Sequence, residues 1–180
     1  ILISIILIIL LVEFFSFVAT KLNLLVINND PDYIHSHGNK WRIETTKWGS
    51  WHKSNFEDIH STECFKTTYK SNNIGARDNV DYNQDLRADS IVLLGDSFAE
   101  GFGVDYENIF PQQLEKKINR KVLNFGSSAH FGPLQAAILY ENLAINYPHN
   151  EIIFFFLPQN DFVDNNWEYW KIKARKFRNR

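Results

Sequence analysis

A serine becomes a nucleophile when its hydroxyl is exposed and backbone N–H groups wait for the oxyanion that its attack creates. Ser97 stands where that is possible, in I-V-L-L-G-D-S-F-A-E-G-F-G, residues 91–103: an apolar run that stops on Gly95, then Asp96, Ser97 and two further glycines. Glycines at 95, 101 and 103 permit backbone angles and close approaches that other residues resist. A tight turn from strand to helix explains the same letters, so this stretch alone does not establish catalysis. Its glycine spacing is neither G-x-G-x-x-G nor G-x-x-x-x-G-K-[ST], so a nucleotide-binding loop is not indicated and no cofactor is expected. Two other polar stretches also end apolar runs: N-F-G-S-S-A at 124–129 and Q-N-D at 159–161.

The elements that would position these groups alternate strand with helix. S-I-V-L-L-G (90–95) reads as a strand covered on both faces, K-V-L-N-F (121–125) as a second strand, and E-I-I-F-F-F-L-P (151–158), apolar throughout, as a third. Between them, residues 107–119 place Phe110, Leu114 and Ile118 on one helical face, with Asn108 as the expected cap and Pro111 in the first turn. Residues 133–146 give a second helix that starts on Pro133. Such alternation implies right-handed crossovers and a parallel sheet, with the site just past the strand C-termini, where Ser97, the segment after Phe125 and Gln159–Asp161 all fall.

G-D-S-F, N-F-G-S-S-A and Q-N-D, in that order and spacing, resemble the SGNH (GDSL-type) hydrolase family, in particular its membrane-anchored bacterial members. S-N-N-I-G-A-R-D at 71–78 looks like the lead-in of those anchored proteins, and the likeness runs from Ser71 to Asn166. It implies a three-layer α/β/α flavodoxin-like domain, of which this chain holds the N-terminal part. It implies Ser97 as nucleophile and as one oxyanion donor, Asn160 as a second donor through its amide, and Gly95, Asp96 and Asp161 in support. The family's other donor is a glycine five positions beyond the asparagine of the second block; here that position is Ala129, with Gly126 a nearby substitute. Pro158 also replaces the glycine that commonly precedes the third block. The implied base, a D-x-x-H block, does not follow Asn160, and we expect it, with further strands, beyond Arg180 in a longer gene product. The expected activity is that of a serine esterase or acyl transferase working through an acyl-enzyme on an acylated small molecule or O-acylated envelope carbohydrate. An inactive domain of the same type that binds glycan or a partner protein is the alternative, favoured by Ala129 and Pro158. A flavodoxin-like domain with coincidental loops is the blander possibility.

Residues 1–27 read as a membrane anchor, since the apolar run admits only Ser4, Glu13 and Ser16 before Thr20 and Lys21. The catalytic part is then expected in the periplasm or outside the cell, although the charges that decide orientation would lie upstream. Residues 28–88 read as an irregular polar and aromatic lead-in, and 89–180 as the α/β domain. Trp41, Trp48 and Trp51 offer either a sugar-stacking face or pins for a long loop, the second being the commoner use. The formal net charge of -2 gives no reason to expect nucleic acid. His35, His37, His52, His60 and Cys64 match no common zinc spacing, so no metal is expected. The literal D-x-x-H at Asp32–His35 reads as coincidence, and His130 lacks an evident acidic partner. The basic tail 171–180 reads as a solvated charge run that could touch anionic surfaces.

Overall fold

The structure is a computed structural model that describes residues 2–22, 39–62, 65–128 and 131–166. The chain divides after His35 into two compact units. The first contains helix α1, Leu2–Lys21. Its 20 residues span about 30 Å at helical rise, the thickness of a bilayer's hydrocarbon core. Apolar on every face, with none of its residues buried, α1 is long and apolar enough to cross a membrane.

The second unit begins with two antiparallel hairpins of short strands, where irregular structure with short strands at best was expected. Strands β1 (Arg42–Thr45) and β2 (Gly49–His52) form one, β3 (Glu57–Ser61) and β4 (Lys66–Lys70) the other. The lead-in tryptophans pin this region to the domain and form no open stacking face. Trp41 is buried and stacked on Tyr69 with ring centroids 4.3 Å apart, and Trp51 is buried with its indole N–H donated to the Ile74 carbonyl. Trp48 packs edge-on against Trp51, partly buried. The stretch 71–78 is equally embedded. The Asn72 side chain accepts the amides of Ile74 and Ala76, and the Arg77 guanidinium lies 3.9 Å from the Tyr69 ring centroid.

The α/β part follows. Strands β5 (Ile91–Gly95), β6 (Val122–Gly126) and β7 (Glu151–Phe154) form one parallel sheet in the order β6-β5-β7. Alternate residues of β5 feed two cores on opposite faces. Val92 and Leu94 pack with Phe125, Leu139 and Trp51, and Ile91 and Leu93 pack with Ala99, Val122 and Leu114. The helices are α2 (Ser97–Glu100), α3 (Phe110–Ile118), α4 (Pro133–Asn142) and α5 (Asp161–Asp164). Two expectations need correction. Asn108 closes a short 3-10 turn and does not cap α3, whose N-cap is Ile109. The second helix ends at Asn142 and is followed by a separate 3-10 turn, Ala144–Asn146.

The outer edge of β6 is covered by the lead-in, because the Asn124 amide donates to the Tyr82 hydroxyl at 2.8 Å. Strand β7 is different. Among the described residues it pairs only with β5, and Ile152 and Phe154 are exposed.

Candidate active site

With β5 central, the chain leaves it to one side for β6 and returns to the other for β7. The crevice at this change of direction lies beyond the C-termini of β5 and β7, the usual ligand position in an open parallel sheet. Ser97 opens α2 directly after β5, and Asn160 precedes α5 after β7.

Asp96 caps α2, accepting the Phe98 amide through Oδ1 at 2.9 Å. This cap turns the chain sharply off the strand and leaves Ser97 partly exposed, with its hydroxyl unpartnered among the described residues. Gly95 lies against the loop after β7, where a Cβ would stand 2.8 Å from Phe155 Cβ. On the β7 side, the Asp161 carboxylate folds back to accept the Leu157 amide at 2.7 Å, closing a turn around Pro158 and Gln159. That turn brings the Asn160 amide 3.3 Å from Asp96 Oδ2 and 3.0 Å from Asp164 Oδ2. Asp96, which precedes Ser97, and Asn160, which precedes Asp161, therefore meet from separate crossover units.

Several details depart from the sequence expectations. Both hydrogens of the Asn160 amide are donated to carboxylates, and its buried Oδ1 has no partner, so in this conformation the amide braces Asp96. The Gly126 amide donates to Asn124 Oδ1 at 3.0 Å, so in this conformation it, like the Asn160 amide, is engaged within the protein. Gly126 serves packing instead: a Cβ there would stand 2.5 Å from the Ala99 carbonyl carbon and closer still to the Glu100 nitrogen. Ala129 and His130 lie outside the described residues, as do Asp32, His35, His37, Cys64 and the basic tail.

Burial and the nearby Asp96 charge push the Asp161 carboxyl above its ordinary value, against the opposing Leu157 hydrogen bond. The described histidines face elsewhere. His149 contacts Tyr140 and Tyr147. His60 is buried in a box of Trp41, Phe65, Tyr69 and Phe102, where burial, then the Arg42 charge, lowers its pKa.

Sequence reasoning missed a polar cluster that surrounds Glu100, fully buried three residues after Ser97. Its carboxylate accepts the Tyr69 hydroxyl and the Ser128 amide, and His52 Nε2 lies 3.4 Å from Oε1. His52 Nδ1 faces the Gly75 carbonyl at 2.8 Å. Burial alone would raise the Glu100 pKa, but His52, Arg42 and the Ser128 amide outweigh it and hold the carboxyl well below its usual range. The available signal was an acid between the alanine and glycine of S-F-A-E-G, in a stretch otherwise destined for the core.

Compared with known proteins, the chain matches no family model, and no curated protein matches it significantly.

Proposed function

We propose that this chain carries the nucleophile-bearing part of an SGNH-type serine esterase or acyl transferase, tethered to a membrane by α1. On this reading the three-stranded sheet belongs to a three-layer α/β/α domain. Ser97 attacks the ester carbonyl and forms an acyl-enzyme, which water or a sugar hydroxyl then relieves. The Ser97 amide, the backbone around Ala129 and the Asn160 carboxamide receive the oxyanion, Asn160 exchanging at least one of its carboxylate partners to do so. The base comes from a D-x-x-H block of the kind the resemblance implies. O-acylated envelope carbohydrate is the favoured substrate class, by analogy with anchored proteins that the motifs resemble.

The observation that carries this reading is the meeting of Asp96–Ser97 and Asn160 at the switch point of the sheet, with the serine hydroxyl unpartnered among the described residues. A fluorophosphonate probe, applied to protein expressed from the complete reading frame, is expected to label Ser97, and Ser97→Ala is expected to abolish labelling. Equal labelling of the alanine variant overturns the assignment.

The engaged amides of Asn160 and Gly126 favour a second reading, an inactive domain of the same type that binds glycan or a partner. An unlabelled but folded wild type that retains acylated glycan would support it.

A further inference from the structure

The loop after β6 is held from outside the α/β part. Its residues 127 and 128 make four hydrogen bonds through their amides and hydroxyls. The Ser127 amide extends the sheet by donating to the Gly95 carbonyl at 3.1 Å. The other three reach further: Ser127 Oγ donates to the Ser50 carbonyl at 3.0 Å, the Arg42 guanidinium donates to Ser128 Oγ, and the Ser128 amide donates to the Glu100 carboxylate. Ser50 and Arg42 belong to the β1–β2 hairpin, and the residue opposite Glu100, His52, ends the same hairpin.

One carboxylate thus joins the helix that starts at Ser97, the loop after the second crossover strand, and both lead-in hairpins. Stability alone is a poor explanation for such a group. Desolvating a carboxylate is costly, and well-packed apolar residues of similar volume generally serve a core as well or better. A charge kept in the core is better explained by the geometry it fixes. Here that geometry is the orientation of the peptide at 127–128 relative to the first turn of α2.

Resting on the esterase reading above, we propose that Glu100 is a positioning residue, and that with the β1–β2 hairpin it clamps residues 127 and 128 against the first turn of α2 and so holds the Ser97 hydroxyl in place for attack. Glu100 touches no substrate; it acts through Ser128. The lead-in is on this account part of the catalytic apparatus and not a spacer.

The test uses the full-length protein in membranes or detergent, with a p-nitrophenyl ester and the fluorophosphonate probe. Glu100→Gln keeps the shape and one acceptor but removes the charge. It is expected to lower kcat and the Ser97 labelling rate roughly tenfold to hundredfold, with KM nearly unchanged, the range expected when reacting groups are displaced by up to about 1 Å. The Ser128 amide proton, donated to a carboxylate, is expected downfield in the wild type and is expected to move upfield in the same variant. Should Glu100→Gln fail to fold, Tyr69→Phe removes one hydrogen bond to Glu100 while keeping the ring, and a smaller loss in kcat at constant KM is expected. A reactive wild type whose kcat is unaffected in the folded variants overturns the positioning proposal. A wild type inert at Ser97 overturns the esterase reading itself, and the two failures are thereby distinguished.

Discussion

Asp161 holds a charge where its neighbours would prefer none. Burial and Asp96 raise its pKa, so the folded protein binds that proton more tightly than the unfolded chain. Its contribution to stability is full below the unfolded value of about 3.8 and is lost as pH rises through the folded value. Asp161→Asn is expected to flatten this part of the pH dependence, gaining stability relative to wild type near pH 7 more than near pH 4, as urea midpoints at the two pH values would show. A gain independent of pH would instead place the effect in the hydrogen bond to Leu157. Glu100 has the opposite sign. Its depressed pKa contributes stability above the ordinary carboxylate range that is lost only as pH falls toward its folded value.

At the scale of elements, the lead-in and the sheet are joined by single atoms. Asp78 is fully buried and accepts Tyr82 Oη at 2.8 Å, Tyr106 Oη at 2.6 Å and Lys121 Nζ at 2.9 Å, while the Tyr82 oxygen in turn accepts the Asn124 amide of β6. Tyr82→Phe removes a donor from a buried carboxylate and an acceptor from a strand amide. A loss of about 1–3 kcal/mol is expected from chemical denaturation, because groups left unpaired in a core pay their full desolvation. The parallel strands were legible, and with them the place of the candidate site after their ends, because a continuous apolar run such as I-V-L-L reports burial on both faces. The hairpins were not. R-I-E-T, E-D-I-H-S and K-T-T-Y-K carry little apolar alternation, and their pairing is fixed by Trp41, Tyr69 and His52 meeting residues distant in sequence. Asn108 was misread for a related reason: a good capping side chain lay one residue too early, and Ile109 took the position because Pro111 sets the helix start. In the candidate site, Ser97 and Asn160 could be placed from the strand ends, whereas Glu100 could not, since its partners come from three separate segments.

For the molecule as a whole, α1 and the α/β unit pose separate questions. If α1 is an anchor, the protein remains in the membrane pellet after alkaline carbonate washing, and deleting residues 1–22 releases it. A mature N-terminus found beyond α1 by mass spectrometry would mark a cleaved signal sequence instead. The contacts inside the second unit also set an order in time. Ser50 and Ser127 are separated by 77 residues, so at about 5–20 residues per second the hairpin leaves the ribosome roughly 4 to 15 s before the loop it grips exists. During that interval the Ser50 carbonyl and the Arg42 guanidinium lack the two serine hydroxyls they will hold, and the nascent hairpin waits with a half-made grip until the loop arrives.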